Sequence, residues 1–164
     1  MKNTETERKF LVDRKAWEAA EKPAGTLYRQ GYLFMDDRKT LRVRVAGERG
    51  FITIKGRSDT LTRPEYEYPV PAEDAAELIA RYALSSIEKV RTKVMHAGHL
   101  WEVDEFLGAS VGLLLAEIEL EDAEETFEKP AWAGEEVTDN PHYYNAWLSQ
   151  HPWTTWPENK KPGG

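Results

Sequence analysis

Charged and apolar residues alternate with a period of two along most of this chain. Glu5-Thr6-Glu7-Arg8-Lys9 opens the pattern, and Arg42-Val43-Arg44, Thr53-Ile54-Lys55, Glu65-Tyr66-Glu67, Lys89-Val90-Arg91, Glu102-Val103-Asp104 and Glu117-Ile118-Glu119 repeat it. In a strand, residues i and i+2 share a face, so most of these segments set two like charges side by side opposite an apolar face. The pattern predicts eight strands, over residues 4–12, 27–35, 40–46, 50–56, 63–70, 87–96, 99–106 and 113–121. Ala46-Gly47-Glu48-Arg49-Gly50 and His96-Ala97-Gly98-His99 read as hairpin loops in which glycine supplies positive φ, which makes the strands on either side antiparallel.

Three segments carry the helical period instead. Residues 13–21 form a short helix with Ala16, Trp17 and Ala20 on one face, and residues 72–83 a stronger one with Ala75, Leu78, Ile79 and Tyr82 in phase. A third helix starts at Asn140-Pro141, a capping residue before proline, and runs through Tyr144, Trp147 and Leu148 to about residue 150. A weaker helical turn is expected over 122–129. Residues 1–150 read as one domain, and the Pro- and Gly-containing stretch 151–164 as a loosely ordered tail.

Which face lies inside decides the chemistry. Charged strand faces ordinarily point to water. Here the helices need an apolar partner, and Val43/Val45, Ile52/Ile54, Val90/Val94 and Leu114/Ile118 supply one. Helices on an apolar exterior turn the charged faces to the other side of the sheet, and eight antiparallel strands suffice to close a barrel that holds one small ligand. The expected fold is therefore α+β, a closed eight-stranded antiparallel barrel with a charged interior and helices outside. Burying so many charges costs several kcal/mol per ion unless they pair, stay hydrated or bind ions.

Composition narrows what that interior can bind. Residues 1–93 hold 19 Lys and Arg against 15 Asp and Glu, while residues 94–164 hold 3 against 14, for a net charge of −7. That balance argues against duplex nucleic acid as a partner. The absence of cysteine excludes disulfides, zinc-thiolate sites and thiol catalysis. No apolar run approaches a membrane span, and the charged pattern beginning within a few residues of Met1 leaves no room for a signal peptide, so a cytoplasmic location is expected. Carboxylates without cysteine or clustered histidine make a hard-oxygen site suited to Mg²⁺ or Mn²⁺. Inward Lys and Arg suit a multiply charged anion, and metal plus basic cradle is what phosphoryl transfer needs. A linear polyphosphate matches best.

The same residues resemble a known family. Glu5-x-Glu7-x-Lys9 is similar to the ExExK signature of the CYTH superfamily, the triphosphate tunnel metalloenzymes. The likeness continues in order through Gln30-Gly31-Tyr32-Leu33, Leu41 to Arg44, Thr53 to Lys55, Glu65 to Glu67, Lys89 to Arg91, Trp101 to Asp104, Ala116 to Glu119 and Val137-Thr138…Tyr143-Tyr144-Asn145. The resemblance implies an eight-stranded tunnel in which Lys9, Arg42, Arg44, Lys55, Lys89 and Arg91 hold phosphates. It implies Glu5, Glu7, Asp104, Glu117 and Glu119 as carboxylates for two Mg²⁺ or Mn²⁺ ions, with Glu65, Glu67 and Glu102 in support. Short single-domain members are similar to inorganic triphosphatases, which implies hydrolysis of tripolyphosphate to pyrophosphate and phosphate. Lys55 or Lys89 would stabilise the leaving phosphate, and Tyr28, inward by parity with Gln30 and Tyr32, would place the water.

Class IV adenylyl cyclase, nucleoside or thiamine triphosphatase, and a non-catalytic polyphosphate-binding module are the competing readings. A purely structural open sheet is a fourth. His96 and His99 have metal-ligand spacing but sit in a hairpin loop without a third partner. The acidic run 121–128 reads as a solvated helix face. Trp153 and Trp156 are candidates to dock on the barrel or on a second subunit, which leaves a homodimer open.

Overall fold

A computed structural model of the chain describes residues 3–57 and 61–161. The alternating segments form β1 (Thr4–Val12), β2 (Thr26–Met35), β3 (Lys39–Ala46), β4 (Arg49–Gly56), β5 (Thr62–Val70), β6 (Ser85–His96), β7 (His99–Phe106) and β8 (Leu114–Leu120). A ninth strand, β9, spans Ala133–Glu136, and the helices are α1 (Arg14–Ala19), α2 (Ala72–Tyr82) and α3 (Asn145–Gln150). All pairings are antiparallel, in the order β5-β4-β3-β2-β6-β7-β8-β1-β9, with β1 also pairing β5. The eight expected strands thus close on themselves.

The closing edge of β1 is shared. Its first half pairs β5 through Thr4↔Pro64, Glu5↔Arg63 and Thr6↔Thr62. Its second half pairs β9 at Phe10↔Glu136 and Val12↔Ala133, across a register shift. Backbone groups of a closed barrel need partners, and the Val137 N–H donates to the Lys9 carbonyl while the Lys9 N–H donates to Thr138 Oγ1. The Ala-Gly-Glu-Glu sequence of β9 has no alternation, which is why the sequence pattern passes over it.

Apolar strand faces point outward, as the helices require. Val43 and Val45, with Leu41, Ile52 and Val70 beside them, pack under α2 through Ala75, Leu78 and Ile79. Gly50 permits this close approach, since a Cβ there would lie 2.8 Å from the Val70 carbonyl oxygen and 2.9 Å from Ala75 Cβ. On the opposite wall Phe10, Trp101, Val103, Ala116 and Ile118 meet Trp17 of α1 and Trp132. α1 is shorter than the expected 13–21 and is capped by Asp13, whose side chain accepts from the Ala16 N–H. The β6–β7 hairpin turns on Ala97 (φ 48°) and Gly98 (φ 84°), the two positive-φ positions of a turn that matches strand twist.

The C-terminal third departs from the sequence pattern. Residues 122–129 form no helix: the acidic run is a strap across the outside of the sheet, where Phe127 packs against Phe10 and Trp101 at ring separations of 5.9 and 5.8 Å. Its carboxylates meet the two hairpin histidines, Glu125 on His99 Nε2 at 2.6 Å and Glu128 on His96 Nε2 at 3.2 Å. Residues 152–161, expected to be loose, form two 3-10 turns in which Trp153 and Trp156 pack against a buried cluster. Two polar bonds reinforce them, from the Trp153 N–H to Ser110 Oγ and from Thr154 Oγ1 to the Ala109 carbonyl. Residues 162–164 of the expected tail lie outside the described residues.

The third predicted helix is broken. Asn140 caps a 3-10 turn at Pro141–Tyr143, Tyr144 is extended, and α3 begins at Asn145. Tyr143 and Leu148 then join Ile87, Phe106 and Leu115 in the buried cluster that Trp153 and Trp156 cover. Those three strand residues belong to the same faces as Lys89, Asp104 and Glu117, so the lumen face changes from charged to apolar at one end and the C-terminal segment plugs it. No helix among the described residues is long and apolar enough to cross a membrane.

Candidate functional site

Beyond the plug the barrel encloses a cavity of about 720 Å³. All but two of the charged residues expected inside line it: Glu5, Glu7, Lys9, Arg42, Arg44, Lys55, Glu65, Glu67, Arg91, Glu102, Glu117 and Glu119. Tyr28 lines it too. Strand register sets their order, because directly opposed residues share a face. Lys9, Glu117, Glu102 and Lys93 form one row across β1, β8, β7 and β6, and Glu7 faces Glu119 in the next.

One wall is basic. The Arg42 Nη2 donates to Thr53 Oγ1 at 3.2 Å, Thr53 Oγ1 donates to Glu67 at 2.8 Å, and Arg42 Nε is buried without a hydrogen-bond partner. Arg44 is gripped by the neutral Gln30 amide oxygen, through Nε at 3.1 Å and Nη2 at 3.0 Å, and enters no ion pair among the described residues. Burial, followed by the neighbouring Arg42 and Arg91 guanidiniums, pushes Arg44 down to about 10. Tyr28 lies between Arg44 and Arg91, with its ring 5.0 and 5.1 Å from the two guanidinium carbons. Three guanidiniums held this close call for an anion.

The facing wall is acidic. Burial raises Glu7, and the Glu117 and Glu5 carboxylates add to the rise against Lys55 and Lys9. Glu119 is raised in the same way by burial, Glu5 and Glu102. Burial also raises Glu5, but Lys55 at 2.8 Å, a hydrogen bond from Glu65 and Arg63 at 2.8 Å bring it down to about 2. Glu65 moves the other way: burial and that hydrogen bond lift it to about 8. Glu117 is pulled well below its ordinary value, burial being outweighed by Lys9 at 3.3 Å and Arg91 at 3.5 Å.

Lys89 and Asp104 stand apart from the cavity surface. Both are essentially fully buried and lie 2.8 Å from each other. Asp104 also accepts a bidentate pair from Arg91, Nε and Nη2 each at 2.8 Å. Lys89 Nζ donates to Asn145 Oδ1 at 2.9 Å, so the first residue of α3 is tied to this layer. Burial, reinforced by Arg91 and Arg44 and opposed by Asp104, pushes Lys89 down to about 7. These two residues brace Arg91 from beneath; Arg91 Nη1 reaches Glu102 at 3.1 Å.

Sequence reasoning overlooked several lining residues, Arg63, Tyr144 and Asn145 among them. Arg63 is in phase with Glu65 and Glu67, a signal legible in the period-two pattern, and it lies between Glu5 and Glu7. Tyr144 and Asn145 reach the cavity because the predicted helix breaks at Tyr144, which no sequence period announces. The Tyr144 hydroxyl donates to the Thr138 carbonyl at 3.1 Å, and Lys9 Nζ donates to the Tyr143 carbonyl at 3.0 Å.

Among the described residues no three carboxylates or histidines converge into a ready-made coordination sphere. The donor set still fits a hard divalent cation. Glu7 and Glu119 oppose each other with raised proton affinity, which marks a cluster short of positive charge, and Arg63 stands in for a cation between Glu5 and Glu7.

The profile of the CYTH domain family matches residues 3–145. The chain is 45% identical over 155 residues to an inorganic triphosphatase of Acetivibrio thermocellus, covering 94% of this chain and 98% of that protein. It is 38% identical over 154 residues to an inorganic triphosphatase of Nitrosomonas europaea, covering 89% and 97%. A crystal structure of an inorganic triphosphatase is similar with a TM-score of 0.60 at 34% identity, over 88% of this chain and 93% of that one.

Proposed function

The chain belongs to the CYTH domain family, and from that premise we propose that it is a divalent-metal-dependent triphosphatase that hydrolyses inorganic tripolyphosphate to pyrophosphate and phosphate within the barrel. The observation that carries this reading is the pairing of two like-charge clusters across one cavity. Arg44, crowded by Arg42 and Arg91 and without an ion-pair partner among the described residues, calls for an anion, while Glu7 and Glu119, crowded by their acidic neighbours, call for a cation. A metal-bound polyphosphate satisfies both walls at once. The similarity to two inorganic triphosphatases supports the same substrate.

Glu5, Glu7, Glu117 and Glu119 would hold Mg²⁺ or Mn²⁺, in one or two ions, which supplies charge neutralisation and a lowered pKa for the attacking water. The chain's own residues do the rest. Arg42, Arg44 and Arg91 bind and orient the phosphate oxygens, and the Tyr28 ring holds the last two apart at a fixed spacing. Water attacks the terminal phosphorus as the bridging P–O bond breaks, and the charge developing on the departing pyrophosphate falls to Lys55, an ammonium on the cavity wall beside Glu5. Asp104 and Lys89 act through Arg91, which they hold in place. The apolar plug closes one end of the barrel and keeps water out from that side.

The test is direct. With tripolyphosphate and Mg²⁺ or Mn²⁺ the protein should release phosphate and pyrophosphate, stop on addition of EDTA and resume when the metal is restored. Cyclic AMP from ATP would favour the cyclase, and binding of tripolyphosphate without turnover would reduce the chain to a binding module.

A further inference from the structure

Arg63 has no part in the phosphate cradle as the structure stands. It projects from β5 at the seam where the barrel closes, directly opposite Glu5 on β1. Its Nε donates to Glu5 Oε1 at 2.8 Å and its Nη2 lies 3.7 Å from Glu7 Oε1, so one guanidinium spans both carboxylates of the Glu5-x-Glu7 pair. Burial disfavours its charge, yet Glu5 and Glu7 together leave its proton affinity raised.

Lys55 shares Glu5 with Arg63 and is half as exposed, while two further cations of the acidic wall are fixed more firmly. Arg91 is clamped by both oxygens of a buried Asp104, and Lys9 is held by Glu117 and the Tyr143 carbonyl. Arg63 has one good hydrogen bond, and its side chain keeps 30% of its exposure. That exposure compares with 6% for Arg91 and 5% for Lys9, so Arg63 is the arginine on this wall with the freest path off its carboxylates. The guanidinium already lies over the Tyr144 ring, 5.9 Å from its centre, and Tyr144, its hydroxyl anchored to Thr138, lines the cavity and so offers a surface along which Arg63 can move.

We propose that Arg63 is a resident counter-cation of the acidic wall: it pairs with Glu5 and reaches toward Glu7 in the metal-free protein, gives way when a divalent cation enters, and is thereby released along Tyr144 to meet the phosphate chain. The inference rests on the proposed function in one respect, that the cation binds at these carboxylates. A single positive charge offsets part of the pair's repulsion until a double charge replaces it, so metal binding readies a further arginine for substrate.

The experiment is an Mn²⁺ titration without substrate, followed by calorimetry and by the electron-paramagnetic signal of free Mn²⁺. Wild type, Arg63→Gln, Arg63→Lys and Glu5→Gln are compared, each checked for fold by circular dichroism. Removing the competing cation should tighten Mn²⁺ binding by about tenfold in Arg63→Gln. Arg63→Lys, whose shorter point charge cannot span both carboxylates, should tighten it by less and carries the test alone if the glutamine variant does not fold. At saturating Mn²⁺ both variants should raise the KM for tripolyphosphate more than they lower kcat. Equal or weaker Mn²⁺ binding in the Arg63 variants, with binding impaired in Glu5→Gln, overturns the proposal alone. Unimpaired binding in Glu5→Gln overturns it together with the metal site it rests on.

Discussion

Replacing Asp104 with Asn separates a bracing role from a metal-ligating one. Asp104 is about as buried as a side chain can be and accepts three charge-assisted bonds of 2.8 Å, two from Arg91 and one from Lys89. Asn keeps the shape but loses the charge, and its amide nitrogen must point a donor at Arg91 or Lys89. Breaking a buried ionic network from one side costs about 3–5 kcal/mol, which at about 2–4 °C per kcal/mol for a chain of this size lowers Tm by about 6–20 °C. The assay is urea and thermal unfolding of the metal-free protein. The sign with pH follows from the native shift. Burial raises the Asp104 pKa, but Arg91, Lys89 and the Arg91 hydrogen bonds hold it below 3.8. Its contribution is therefore present above pH 3.8 and fades as pH falls through the lower native value, so the gap between wild type and variant should close in acid. Mn²⁺ affinity should stay where it was, because Asp104 lies beneath the cavity surface. A variant within about 1 kcal/mol of wild type that has lost Mn²⁺ binding would refute this and restore Asp104 to the metal ligands.

The acidic wall and the plug each give a further expectation. Glu7→Gln removes a charge that faces Glu119 and Glu117, so the metal-free protein should gain about 0.5–1 kcal/mol, while tripolyphosphate turnover falls about a hundredfold or more. Because the native Glu7 pKa is raised above 4.5, wild-type stability should decline relative to the variant as pH rises from 4.5, and an unchanged pH profile in metal-free unfolding would argue against the repulsion. Trp153→Ala with Trp156→Ala, two partly buried rings 4.9 Å apart against the plug, should cost about 2–4 kcal/mol by denaturant unfolding; no loss would mean the turns contribute nothing to closing the barrel.

The strands could be read from the sequence because a period of two survives wherever one face meets a core and the other does not. Sidedness was legible for a related reason: α2 needs an apolar partner, and Val43, Val45 and Ile52 supply it only if Arg42, Arg44 and Thr53 point inward. Local pattern thus determined the barrel and nearly all of the charged lining, including Tyr28. It determined neither depth nor partners. Lys89 and Arg91 share a strand face and a charge, yet one lies under the cavity surface and the other on it, a difference set by the α3 plug packing against Ile87 and Phe106. β9, the Tyr144 break and the histidine–glutamate contacts of the 122–129 strap likewise depend on segments far apart in the chain. The sequence by itself determined which side chains face the lumen, because parity is a property of neighbours two residues apart. Tertiary structure decided which of those charges are already neutralised and which still call for a ligand, because ion pairing depends on which strands closure brings together.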